Sequence, residues 1–197
     1  MKLIFYCPNV KPYLVDERKI RSHNFVLGDS SVLTSNEKDL VLNGKIIAEC
    51  DFKVEEIEHY IHYEPEVDVG IAVLPSFECE AYHTNTTGHF ELLKQSCLTE
   101  DKLFSYLKGN NGYAIHIKNL HIFNDPRELD DYEYTRRVKG KPILRAVLFE
   151  APKDMKKIIA NGTDAILIRV HPEELCRILN GEQTIIIKKR ILREMKK

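Results

Sequence analysis

The chain has 197 residues, 43% hydrophobic and 30% charged, with a formal net charge of −1. That length suits one domain, the composition excludes a disordered tail, and near-neutrality excludes bulk electrostatic attraction to nucleic acid. No apolar run approaches the ~20 residues that span a bilayer, so no membrane partner is expected.

Lys2 to Tyr6 reads as a buried first strand. The opening MKLIFYCPNVKPYL carries only Lys2 and a very short apolar stretch, which does not make a signal peptide. Asp16 to Lys38 is polar and Ser-rich, a long loop or a local hairpin of Asn24–Leu27 with Val32–Thr34. Asp39–Leu42, Asn43-Gly44 and Lys45–Val54 carry the Asn-Gly signature of a tight hairpin. Within it Ile46, Ala48 and Cys50 alternate with Ile47, Glu49 and Asp51, as a strand with one buried face requires.

From Glu55 to Glu80 the pattern is undecided, although Pro65 and Pro75 exclude one continuous helix. Thr99-Glu100-Asp101 opens a helix with acids at the positive end of its dipole. Leu103, Phe104 and Leu107 form its apolar face, and Gly109 to Gly112 stops it. Tyr113–Ile117 and Leu120–Phe123 read as two strands, Asp130–Lys141 as a charged loop, and Ile143–Phe149 as a strong strand. Met155–Ala160 reads as a short helix.

The C-terminal part is the most legible. Asp164 to Arg190 reads DAILIRVHPEELCRILNGEQTIIIKKR. A β-branched run, Ala165 to Val170, leads to His171-Pro172, and proline at a first helical position loses no needed N–H. Leu175, Ile178 and Leu179 make one apolar helix face, and Asn180-Gly181 ends the helix. A second run, Thr184 to Ile187, finishes in Lys188-Lys189-Arg190. Strand, short helix and strand form a compact βαβ-like unit.

This unit resembles the opening motif of the ASCH domain, a small β-barrel family of the PUA-like superfamily, here displaced to the C-terminus. Phe5–Leu14, Leu42–Cys50, Cys97–Ile117 and Asn119–Leu129 are similar to the second strand, third strand, helix and last strands of phage- and mobile-element-type members. The resemblance covers about half of the chain in five pieces. It implies an α+β fold, a PUA-like mixed, mostly antiparallel β-barrel with short flanking helices, in circularly permuted order. Residues 1–197 would form a single domain, with the main strands and helix in 1–150 and the strand–helix–strand unit with its basic tail in 151–197. The alternative is that the C-terminal strands form a small second domain or exchange with a neighbouring subunit.

Some bacterial ASCH proteins are amidohydrolases that use a Lys and a Thr of this motif. Here the Lys position holds Gln183, which transfers no proton, and the later polar position holds Ile186. With that acid/base apparatus missing, no catalytic residue and no cofactor are expected, and nucleoside hydrolysis ranks third among the readings. First is a non-catalytic module for RNA, single-stranded nucleic acid or a nucleotide. Gln183, Thr184, Lys188 and Arg190 would line one mouth of the cleft, with Tyr6 and Lys11 from the second strand and Tyr113 and His116 from later strands. An aromatic stacks a base, amide and hydroxyl groups read its edge, and cations hold phosphate. The bland reading of the same residues is core or rim tyrosines and a solvated strand end. Second is a phage-type regulatory or inhibitor protein, binding a protein partner through the insertions Asp16–Lys38 and Glu55–Gln95.

Arg193, Lys196 and Lys197 extend the basic end, and Arg136, Arg137, Lys139 and Lys141 supply another cluster. His59 and His62, with Glu56 and Glu64 nearby, would share a helix face, but no third ligand has a fixed spacing and H-E-x-x-H is absent. No metal site is therefore expected. The five cysteines, with no Cys-x-x-Cys pair, fit reduced thiols of a cytoplasmic protein.

Overall fold

A computed structural model describes residues 1–7, 44–64, 67–68, 70, 73–74, 77–138, 141–147 and 154–196. Lys11, the segment Asp16–Lys38 and the strand Asp39–Leu42 lie outside the described residues, as do Pro65, Pro75 and Lys139. The elements are β1 (Lys2–Tyr6), β2 (Ile46–Glu64), β3 (Val67–Asp68), β4 (Val73–Leu74), β5 (Phe77–His83), α1 (His89–Ser96), α2 (Glu100–Leu107) and β6 (Gly112–Arg127). Then come β7 (Glu133–Val138), β8 (Lys141–Val147), β9 (Met155–Ala160), β10 (Thr163–Arg169), α3 (Pro172–Leu179) and β11 (Ile185–Lys188). The chain is divided into two compact units. The first holds Met1–Lys53, Ile117–Thr184 and Leu192–Lys197; the second holds Val54–His116 and Ile185–Ile191.

In the first unit, β1 lies between β10 and β2, parallel to β10 (Leu3 opposite Ile166) and antiparallel to β2 (Leu3 opposite Cys50). Leu3, Ile4 and Phe5 are fully buried, the continuous apolar pattern of a strand covered on both faces. Ile4, Tyr6, Ile46, Phe123, Tyr132, Ile158, Ala165 and Leu167 share one core. The Arg127 guanidinium lies 3.8 Å from the Phe123 ring centroid. Its Nη1 donates to the Tyr132 hydroxyl at 3.4 Å, so a buried phenol keeps a partner. In α3, Pro172 occupies the first turn and the His171 side chain accepts from the Glu173 N–H. Leu175, Cys176, Ile178 and Leu179 are buried, as the sequence spacing implies.

Met155–Ala160 is a strand, not the short helix expected. Asn161 and Gly162 both have positive φ, 49° and 77°, the geometry of a two-residue hairpin turn. β9 therefore folds back antiparallel on β10, with Ala160 opposite Thr163 and Ile158 opposite Ala165. The two strands expected at Tyr113–Ile117 and Leu120–Phe123 are one long strand, β6. Asn119 within it takes φ 49° and donates from Nδ2 to Asp51 Oδ2 at 2.9 Å. The charged stretch expected to be a loop from Asp130 to Lys141 instead contains β7.

In the second unit, the first residues of β6 pair antiparallel with β11, and the far half of β2 pairs antiparallel with β5. Ile57, Tyr82, Leu92, Leu103, Leu107, Ala114, Ile185 and Ile187 form its core. Thr99 caps α2 by accepting from the Lys102 N–H, as its sequence implies. At Gly112 an added Cβ would sit 2.7 Å from Leu107 Cδ2 and 3.3 Å from the Lys188 carbonyl oxygen, so any larger residue would make the Leu107 side chain shift. The undecided stretch from Glu55 is resolved as the long continuation of β2, and His59 consequently shares no helix face with His62.

The sheet is mixed: β1 pairs parallel with β10, while β1 with β2, β2 with β5, β6 with β11, β7 with β8 and β9, and β9 with β10 pair antiparallel. It does not close into the expected barrel. Among the described residues the path runs β11-β6-β2-β1-β10-β9-β7-β8, with β5 joining β2, and its end strands do not pair. Closure needs a shared ladder of matched length and stagger, and β11 offers four residues. Among the described residues no helix is long and apolar enough to cross a membrane.

Candidate nucleic-acid interface

The basic end of β11 belongs to the second unit. Antiparallel register sets Lys188 opposite Tyr113 and Ile185 opposite His116, and directly opposed residues present side chains to the same face. Beyond the strand, the Lys189 N–H donates to the Tyr106 hydroxyl over a long 3.4 Å. The Lys189 ammonium lies over the same ring, 5.0 Å from its centroid, within cation–π range. Tyr106 is 40% exposed on α2, and Lys102, also exposed, precedes it by one helical turn on the same face. Arg190 is exposed. Lys188, with Tyr113, faces the side of the strand opposite to the core residue Ile187, and Lys189 faces α2.

His116 is turned to a different task. β2 alternates strictly from Glu55 to Tyr60, so Glu55 falls on the inward face with Ile57 and is only 8% exposed. Its carboxylate accepts from Thr86 Oγ1, which lies 2.8 and 2.6 Å from the two oxygens. His116 Nε2 lies 3.2 Å from Glu55 Oε2. The loop that delivers Thr86 is tied across its own base, with the Thr84 N–H donating to the Thr87 carbonyl at 3.0 Å. The Thr87 N–H returns a bond to Thr84 Oγ1 at 2.9 Å. A carboxylate buried to this degree needs such partners, and His116 is one of them.

Tyr6, Gln183 and Thr184 belong to the first unit. Tyr6 is a core residue, 4% exposed, and burial raises its phenol pKa above the ordinary value. Gln183 is 3% exposed and fully engaged as a brace. Its Oε1 accepts from Arg177 Nε at 3.3 Å, and its Nε2 donates to Glu174 Oε1 at 3.0 Å. The backbone N–H groups of Glu182 and Gln183 both donate to the Arg177 carbonyl. Gln183 thus locks the end of α3 to the chain that leads into β11. Thr184 is exposed, and its carbonyl accepts from the Ile117 N–H at 2.9 Å.

Cys7, Cys50 and Cys176 are buried, as their apolar neighbours imply, whereas Cys79 and Cys97 are exposed. Burial pushes the Cys7 and Cys50 thiols up to about 12. Among the described residues, no three His, Cys, Asp or Glu side chains converge to hold a metal ion.

Sequence reasoning missed Tyr106, Lys102, Glu55 and Thr86. For Glu55 a signal existed, the period of two that runs back from Ile57. For Lys102 and Tyr106 the helical spacing of four was available. The pairing of Tyr106 with Lys189 is a long-range contact that no local pattern encodes. Comparison with protein-family models, with curated proteins and with solved structures returns no match.

Proposed function

We propose that the chain is a non-catalytic nucleic-acid or nucleotide-binding module, of the kind that the ASCH resemblance implies, which takes RNA or single-stranded nucleic acid at the basic end of β11. The observation that carries this reading is a cation beside a tyrosine on each face of the strand end: Lys188 opposite Tyr113 on one face and, on the α2 side, Lys189 over Tyr106. Lysine and arginine neutralise phosphate, and aromatic faces accept any base.

Two further observations favour binding over hydrolysis. Both polar ends of the Gln183 amide are committed to Arg177 and Glu174, so the motif position is structural as well as unable to transfer a proton. The buried carboxylate, Glu55, is engaged by Thr86 and lies 3.2 Å from His116 Nε2. The test is binding of labelled single-stranded RNA and DNA, followed by fluorescence anisotropy as salt is raised. Affinity that falls measurably as salt is raised supports the reading; no binding at low salt ends it.

A further inference from the structure

We propose that Tyr106 is the stacking residue of this interface, held in place by Lys189, and that its occupant is a short single-stranded segment rather than a duplex. The inference rests on the nucleic-acid reading above and assigns the role to a residue that the sequence did not single out.

Among the tyrosines near the expected site, Tyr6 is 4% exposed within a core, and Tyr113 is half-buried in the β6 ladder. Tyr106 is 40% exposed and sits on a rigid helix rather than a loop. Its two ends are constrained differently. The hydroxyl is held by the Lys189 N–H, and the ring carries the Lys189 ammonium over it. A ring oriented in this way loses little further freedom when a base stacks on it, which is what preorganisation supplies.

The cations are placed for the flanking phosphates. Lys102 lies one turn before Tyr106 on the same helix face. Lys189 lies over the Tyr106 ring and exposed Arg190 follows it, whereas Lys188, with Tyr113, faces the other side of the sheet. Elsewhere in the second unit the exposed residues of β2 and β5 include Glu56, Glu58, Glu78 and Glu80, which repel a polyanion. The favourable surface is therefore local and suits a short stretch of strand. A duplex keeps its bases stacked on one another, and exposing one to a tyrosine requires unstacking that costs a few kcal/mol. A single strand carries no such penalty.

The experiment compares the full chain with its Tyr106→Ala, Tyr106→Phe and Lys189→Gln variants. The ligands are a fluorescent oligouridylate of about eight nucleotides, within the usual site size of such platforms, and a duplex of the same length. Circular dichroism establishes that each variant is folded. Tyr106→Ala is expected to weaken oligouridylate binding by about 5-fold to 100-fold with little change in salt dependence. Tyr106→Phe keeps the ring and is expected to retain most of the affinity, while Lys189→Gln lowers both affinity and salt dependence. The unmodified chain is expected to prefer the single strand. If the chain binds but Tyr106→Ala binds equally well, the assignment falls and the nucleic-acid reading stands. If Tyr106→Phe is as weak as Tyr106→Ala, the hydroxyl tether rather than stacking matters, and the assignment is again overturned. Duplex binding as tight as single-strand binding removes the single-strand claim. Absence of binding by the unmodified chain removes the nucleic-acid reading itself.

Discussion

Glu55 shows how one residue is made safe to bury. Two short contacts from Thr86 and the nearby His116 ring replace the water that a carboxylate loses. Thr86→Val keeps the shape of the side chain and removes the donor. A hydrogen bond to a charged group contributes about 1.5–3 kcal/mol, so urea denaturation should show a loss of that order. An unchanged midpoint would mean that the hydroxyl is replaceable by water. The cysteines give a second residue-scale test. Thiolate is the reactive form, and the Cys7 and Cys50 pKa values are raised by burial from 9.0 to about 12. Native protein near pH 8 should therefore be alkylated at Cys79 and Cys97 and spared at Cys7 and Cys50, as peptide mass mapping would show. A raised folded pKa favours the neutral form, so this contribution to stability is complete below about pH 9. It is lost as pH rises from 9 towards 12, where the unfolded chain ionises first. Labelling of Cys7 in the folded chain near pH 8 would contradict this picture of the core.

At the scale of elements, local chemistry is legible in the sequence and long-range pairing is not. The first strand, the Thr99-capped helix and the His171-Pro172 helix form where capping and apolar spacing place them. These signals act within a few residues of chain. The open sheet follows from pairings between distant strands, which no periodicity records. β9 reads as a helix because Met155, Ile158 and Ile159 also satisfy a helical spacing, and the deciding residues are Asn161-Gly162 just beyond them. That turn is itself testable. Both residues have positive φ, a region in which a side chain costs about 1–2 kcal/mol. Gly162→Val should therefore lower stability by at least that amount by urea titration, since β-branching adds to the strain. A variant as stable as the parent would mean that the hairpin does not depend on this geometry. The candidate site divides in the same way. Lys188 and Arg190 are visible because they end a recognisable strand. Tyr106 is not, because its partner lies 83 residues away. Gln183 is visible in the sequence as the residue between the helix stop and the last strand, but its role as the brace of α3 depends on how its amide meets Arg177 and Glu174 in space.

Across the whole molecule the formal charge is −1, so attraction to nucleic acid has to be local. Whatever binding occurs should involve few phosphates and show a modest, measurable salt slope. The most direct test is the anisotropy titration of single-stranded RNA over a salt series, made on the parent chain and on Lys188→Glu and Arg190→Glu. The account predicts binding at low salt for the parent. For each variant it predicts weaker binding and a log–log salt slope reduced by about 0.7 for each phosphate no longer neutralised. Parent binding that both variants match in affinity and slope, or no parent binding at low salt, would contradict it.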